Sequence, residues 1–113
     1  MNSETKYLSE SEKAALLEIK RRVSDIFPVR SYILFGSKAR GDFLPDADVD
    51  LLIVTERELT HSERHRISHE ITHANLEFDT LFSFLAISAE RWDSELYRLV
   101  PIHKNVEREG VLV

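Results

Sequence analysis

The sequence has no cysteine, and that absence excludes a disulfide framework and any metal site that relies on thiolate ligands. It also has no apolar run that approaches the roughly 20 residues a membrane-spanning helix requires. Residues 1–6 hold no apolar stretch of the kind that a signal peptide needs. We therefore expect a soluble, cytoplasmic protein with no membrane partner.

Basic residues are also fewer than acidic ones: the sequence has 15 Lys and Arg residues and 20 Asp and Glu residues, which gives a net charge of −5. Binding nucleic acid without regard to sequence needs a cationic surface, so no direct nucleic-acid binding is expected. Arg30, Lys38 and Arg40 lie close in sequence to Gly36 and still allow a local basic patch there.

Length and hydrophobic pattern predict one small domain. A chain of 113 residues buries roughly two thirds of its surface on folding, which is enough for one core, and we expect a single domain over 1–113. An amphipathic helix is predicted at about 9–27. Ser9 and Glu12 give it a capping-box start, and Pro28 follows its end.

Short apolar runs predict the first strands. Residues 31–35 and 49–54 are predicted strands on either side of a short helix over 37–41. The second run is apolar almost without interruption, which is typical of a strand buried on both faces.

The second half of the chain predicts three further elements. The hydrophobic period predicts a helix over 61–74, and the next apolar stretch predicts a third strand over 76–85. Ser88 is predicted to cap a last helix, which Pro101 would end.

This order of elements predicts an α/β (α+β) fold, in which helices flank a small mixed β-sheet. We expect an N-terminal helix at about 9–27, a catalytic core at about 31–85, and a C-terminal helix and tail at 88–113.

A glycine turn is the first candidate functional element. Gly36 follows an apolar strand and precedes a helix start, where backbone N–H groups are free and the helix dipole favours an anion. Glycine lets a phosphate approach the main chain closely, and the Ser37 hydroxyl can donate to the same anion. A Gly-Ser pair by itself is more often a turn chosen for geometry, so its weight depends on what lies beside it.

Two carboxylates follow the turn at short range. Asp48 and Asp50 are two apart on a predicted strand, so their side chains share one face. Carboxylates this close repel each other unless a cation lies between them, and Mg²⁺ takes oxygen ligands while keeping room for substrate phosphates. The alternative is a pair of solvated surface acids. The apolar run at 51–54 counts against it, because that run indicates a central strand.

A third acid is needed if two metal ions are to be held and a hydroxyl activated. Asp79 lies in the predicted strand 76–85 among apolar residues and is the preferred candidate. Glu77 shares the same side of that strand and remains the alternative.

Four histidines form a stripe along the predicted helix over 61–74. Spaced by four, they share one helix face, roughly opposite the apolar face. No carboxylate or cysteine is placed to complete a metal site, so we predict a solvated or partner-facing stripe that binds nickel resin adventitiously. The four are His61, His65, His69 and His73.

The central run of the sequence resembles a known signature. The stretch from Gly36-Ser37 through Lys38-Ala39-Arg40-Gly41-Asp42 to Asp48-Val49-Asp50 resembles that of the minimal nucleotidyltransferases (MNT) of the DNA polymerase β superfamily. The segment around Asp79 resembles the family's third acidic element, and the tail at 105–112 is similar to its usual ending.

The resemblance implies a nucleotidyltransferase fold and a Mg²⁺-dependent transfer of AMP from ATP to a tyrosine hydroxyl of a HEPN-domain ribonuclease toxin. The protein would then act as the antitoxin of that toxin. By the same resemblance, Asp48 and Asp50 would bind two Mg²⁺ ions. Asp79 would hold one of them and help to deprotonate the attacking hydroxyl.

The resemblance also gives the glycine turn a role. Gly36 and Ser37 would grip the triphosphate of ATP. Arg40 would either assist the phosphates or support the turn.

Two alternative functions remain open. The first is transfer of a nucleotide to the hydroxyl of a small molecule, as in aminoglycoside-modifying relatives, which usually carry an additional domain for the acceptor. The second is a non-catalytic antitoxin that neutralises its partner by binding. The presence of all three acids favours an active enzyme.

Overall fold

Strands and helices alternate along most of the chain, as the hydrophobic pattern predicts. The structure, a computed structural model, describes residues 5–113. In chain order the elements are α1 (Glu10–Ile26), β1 (Val29–Phe35), α2 (Ser37–Arg40), β2 (Val49–Thr55), α3 (His61–Phe78), β3 (Phe82–Ser88), α4 (Ala89–Trp92), a 3-10 turn (Tyr97–Leu99), α5 (Pro101–Glu109) and β4 (Val111–Leu112).

The strands form one mixed sheet in the order β3-β2-β1-β4. Strand β1 runs antiparallel to both β2 and β4, whereas β2 and β3 are parallel. A parallel pair needs a crossover connection, and α3 provides it. Every residue of β2 except Asp50 is buried, so the predicted central strand is confirmed.

Helices α1 and α3 cover one face of the sheet. Both begin with a capping box, Ser9 with Glu12 in α1 and Thr60 with Glu63 in α3. Their apolar stripes pack on the strand residues that point to this side, which confirms the amphipathic faces predicted from the sequence. The stripes consist mainly of Ala15, Ile19, Val23, Ile67, Ile71 and Ala74.

The second face of the sheet has a thinner cover. Trp92 of α4 and Val106 of α5 pack on Leu52 and Val54 of β2. This cover ends before the N-terminal end of β3, where Ser83 is half-buried. One end of this sheet face is therefore open to an incoming molecule.

The prediction of a third strand over 76–85 is wrong. Helix α3 continues to Phe78, and β3 begins only at Phe82. The side chain of Asn75 fixes this boundary: its Nδ2 donates to the Phe82 carbonyl at 3.0 Å, and its Oδ1 accepts from the Phe82 N–H at 2.8 Å. Asp79 closes the helix in the left-handed conformation, with φ at +56°.

The C-terminal region also differs from the prediction. Ser88 caps a helix as expected, but α4 is only one turn long. Pro101 begins α5 and does not end the helix before it. Proline is well tolerated in the first turn of a helix, where its missing N–H would have had no partner.

Within the part of the chain that the structure describes, no helix is long and apolar enough to cross a membrane. The expectation about a signal peptide concerned residues 1–6, and residues 1–4 lie outside the described part.

Candidate active site

The turn after β1 is in direct contact with a carboxylate. Gly36 has φ at +79°, a conformation that side chains rarely allow. A Cβ atom at this position would lie 2.2 Å from Oδ2 of Asp50. Glycine is therefore required both for the backbone conformation and for the approach of Asp50.

Helix α2 starts at the same point. It consists of one turn, Ser37–Arg40, and Gly41 ends it in the left-handed conformation. The first N–H groups of a helix have no acceptor within the helix, so the Gly36–Ser37 end presents donors beside Asp50. Gly36 and Ser37 are both half-buried and remain accessible to a ligand.

The two predicted carboxylates lie at the start of β2. Asp48 is exposed and immediately precedes the strand, whereas Asp50 is half-buried within it. Asp50 pairs in register with Phe35 of β1 and with Ser83 of β3. The Ser83 hydroxyl donates to Oδ1 of Asp50 at 2.9 Å. The predicted unit of glycine turn and strand carboxylate is thus present.

The predicted third acid does not join this pair. Asp79 is exposed at the end of α3, outside the strand in which the sequence analysis placed it. Glu77 lies within α3 and pairs with Arg22 of α1 at 3.2 Å. Among residues 5–113, no group of three His, Asp or Glu side chains is arranged to hold a metal ion. The expected cluster of three carboxylates is therefore absent from the described structure.

The basic residues near the turn are engaged with carboxylates. Lys38 is buried and pairs with Glu12 at 3.1 Å. Arg40 donates from Nε to Asp42 at 3.1 Å and from Nη1 to Glu109 at 3.0 Å. Both bonds raise the pKa of Arg40, and the bond to Asp42 has the larger effect.

Arg30, the third member of the expected basic patch, pairs with Asp93 at 2.8 Å. The three basic side chains thus form separate ion pairs and not a patch. Arg40 is thus held by two carboxylates at the end of α2.

Sequence reasoning missed Ser83 as a site residue. A signal for the helix boundary was available, because Ile67, Ile71, Ala74 and Phe78 continue one helical stripe. The register that sets Ser83 opposite Asp50 has no such local signal, since it depends on how α3 and the following turn return the chain to β2.

The histidine stripe is exposed along α3, as predicted. Two of its rings, those of His69 and His73, lie with their centroids 4.5 Å apart.

The site thus consists of a mixed sheet, flanked by helices, in which a glycine turn lies against a strand carboxylate. The chain belongs to the nucleotidyltransferase domain family, whose model matches residues 16–111. The enzyme class expected from the sequence is confirmed.

Individual relatives agree with this assignment. The chain is 37% identical over 68 residues to the "Putative protein adenylyltransferase" of Methanocaldococcus jannaschii, a match that covers 58% of this chain and 69% of that protein.

Solved structures with low sequence identity share the fold. The crystal structure of a toxin–antitoxin with AMP-PNP matches with a TM-score of 0.60 and 14% identity, over 88% of this chain and 70% of that chain. A mutant of the MntA-HpeT toxin–antitoxin matches with a TM-score of 0.58 and 16% identity, over 89% of this chain and 70% of that chain. The predicted fold class is confirmed.

Proposed function

We propose that this nucleotidyltransferase moves AMP from ATP to a tyrosine hydroxyl of a HEPN ribonuclease toxin and so acts as its antitoxin. The observation that carries the proposal is the close approach of Asp50 to Gly36, which brings a strand carboxylate beside the N-terminal end of α2, where we propose that the triphosphate binds. The relative named as a protein adenylyltransferase and the structural similarity to toxin–antitoxin proteins support the choice of acceptor.

The charge around the turn favours a divalent cation with the nucleotide. The loop after α2 and the start of β2 carry Asp42, Asp46, Asp48 and Asp50, and Arg40 is shared between two carboxylates. A triphosphate entering this region would be repelled without added positive charge. We therefore propose Mg²⁺ as the accompanying ion.

The available oxygen atoms suit this ion. Mg²⁺ is usually bound by one or two carboxylates together with substrate phosphates and water, and Asp48 and Asp50 can supply the carboxylates. When bound, the ion would neutralise charge on the phosphate oxygens.

Beyond the metal ion, the protein contributes by positioning the triphosphate and the acceptor hydroxyl. The N–H groups at Gly36 and Ser37 orient the triphosphate so that the α-phosphorus faces the open end of the sheet. The acceptor hydroxyl oxygen attacks that phosphorus in line, a new P–O bond forms, and the bond to the bridging oxygen breaks. Pyrophosphate leaves with that electron pair, and the hydroxyl proton passes to solvent.

The open end of the sheet supports an acceptor carried by another protein. Asp50 and Ser83 are both half-buried on one sheet face, and Phe35 beside them packs against the cover given by α4 and α5. A hydroxyl on the surface of a partner can approach this face directly.

The test is an intact-mass measurement on the protein encoded beside this one, after co-expression. Wild type should add whole AMP units to that partner, and Asp48→Ala/Asp50→Ala should add none. Asp79→Asn is the matched carboxylate control and should behave as wild type.

The other outcomes identify the alternatives. An unmodified partner that still co-purifies would replace the proposal with neutralisation by binding. An unmodified partner that does not associate would point to a small-molecule acceptor.

A further inference from the structure

We infer that Ser83 takes the place of a third carboxylate, so that the site holds one divalent ion with the nucleotide and not two. This inference rests on the proposed function and refines the metal content of the same site. It departs from the two-ion arrangement that the family resemblance implies.

The sheet register carries the inference. Parallel pairing sets Ser83 of β3 directly beside Asp50 of β2, and both side chains lie on the open sheet face. The Ser83 hydroxyl donates to Oδ1 of Asp50 at 2.9 Å. The β3 residue that pairs with Asp50 therefore carries a neutral hydroxyl.

No other acid of the α3–β3 connection can take this place. Asp79 is exposed in the left-handed turn that closes α3, and the Asn75 side chain holds the Phe82 end of the turn in place. Glu77 points to α1, where it meets Arg22.

Charge and ligand number favour a single ion. A two-metal site places its ions roughly 3.5–4 Å apart, and their mutual repulsion must be offset by carboxylates shared between them. Asp48 and Asp50 supply two negative charges, and Ser83 supplies none. One Mg²⁺, which takes one or two carboxylates and completes its coordination with phosphates and water, matches this set.

The orientation of Asp50 fits the same conclusion. Oδ2 of Asp50 lies against the Gly36 turn, where a Cβ atom would be only 2.2 Å away, and Oδ1 accepts from Ser83. Ser83 is thus a positioning residue: it holds the carboxylate so that Oδ2 faces the phosphate-binding end of α2.

The experiment counts ions directly. Mn²⁺ bound per protein is measured by electron paramagnetic resonance at saturating AMP-PNP, after correction for Mn²⁺ bound to free nucleotide. Wild type should hold one ion, and Ser83→Asp, which adds the missing carboxylate, should hold two. Ser31→Asp adds the same charge at a half-buried position near the other end of β1 and should hold one.

One further variant keeps the test decisive if Ser83→Asp is poorly folded. Asp79→Asn should hold one ion, as wild type does. Two ions in wild type that fall to one in Asp79→Asn would overturn the inference and leave the proposed function intact. A wild-type protein that binds neither AMP-PNP nor Mn²⁺ would overturn the proposed function itself, and a well-folded Ser83→Asp that holds one ion would overturn the role of Ser83.

Discussion

At the scale of single residues, Asp50 makes one close contact within a local unit of the chain and one with a distant strand. Gly36 and Asp50 belong to one strand–turn–helix–strand unit, so their contact follows from local order and spacing. Ser83 reaches Asp50 across 33 residues of sequence. The sequence predicts Asp79 beside Asp50, because Asp79 lies among apolar residues that are expected to form a strand. In the structure Asp79 ends α3.

Asp79 gives the residue-scale prediction. Its φ of +56° is tolerated by Asn but strained for a β-branched side chain. Asp79→Asn should leave both the free energy of unfolding and nucleotidyl transfer unchanged, and Asp79→Val should lose about 1–2 kcal/mol. Urea unfolding and a transfer assay check both variants. A large loss of transfer in Asp79→Asn, with stability retained, would restore Asp79 to the site.

At the scale of elements, the ends of α3 decide where the site residues fall. The helix starts at a capping box, in which the Thr60 hydroxyl accepts from the Glu63 N–H at 3.1 Å. Its last turn contains Asn75, whose side chain bonds to both backbone groups of Phe82. The capping box is readable in the sequence as Thr-x-x-Glu. The role of Asn75 cannot be read from the sequence, because the backbone groups of Phe82 that it bonds belong to the next strand.

Asn75→Ala should be strongly destabilising. The substitution removes three side-chain hydrogen bonds, two to Phe82 and one from the Thr80 hydroxyl, each contributing about 1 kcal/mol net. We expect a loss of about 2–3 kcal/mol in the free energy of unfolding. Asn105→Ala, on the exposed side of α5, is the matched control and should change stability little. Equal values for the two variants would show that Asn75 does not fix the turn.

The hydrogen bonds of Glu63 predict that the free energy of unfolding depends on pH. Its hydrogen bonds with the Arg57 guanidinium and then with the Thr60 N–H lower the pKa of Glu63 from 4.5 to about 2. A depressed carboxyl pKa contributes stability that is present above the unfolded value and is lost as pH falls through the folded value. Glu63→Gln should therefore melt at a lower temperature than wild type near neutral pH, and the gap should close as pH falls from 4.5 to about 2. Thermal melts across that range check this expectation, which a constant gap would contradict.

At the scale of the whole molecule, ion pairs connect α2, the short helix that follows Gly36, to α1 and to α5. Lys38 of α2 pairs with Glu12 of α1 at 3.1 Å, and both residues are buried. Arg40 reaches Glu109 at the end of α5. The fold class was predictable because β1, β2, α1 and most of α3 show clear hydrophobic patterns in the sequence. The two ion pairs were not predictable, because they join segments that are far apart in the sequence.

The buried pair gives a double-mutant test. Lys38→Met should lose about 3 kcal/mol of the free energy of unfolding, because it leaves the Glu12 carboxylate buried without its partner. Glu12→Gln/Lys38→Met removes both charges, keeps a capping residue at position 12, and should recover most of the loss. Lys13→Met, at a half-buried position of α1 whose side chain is 41% exposed, serves as control. Urea unfolding of all three variants decides the matter, and a double variant no more stable than Lys38→Met would contradict it.

The pairing of β2 with β3 also determines when the site forms during folding. Contacts between distant segments form slowly, because the loop between them must first be closed. The Gly36 turn meets Asp50 through the nearby β1–β2 pair, but the bond from Ser83 needs the whole of α3 and the turn after it. A chain emerging during synthesis therefore forms the Gly36 turn before Ser83 can hold Asp50 in place, and we expect it to become competent for nucleotidyl transfer only after β3 has docked.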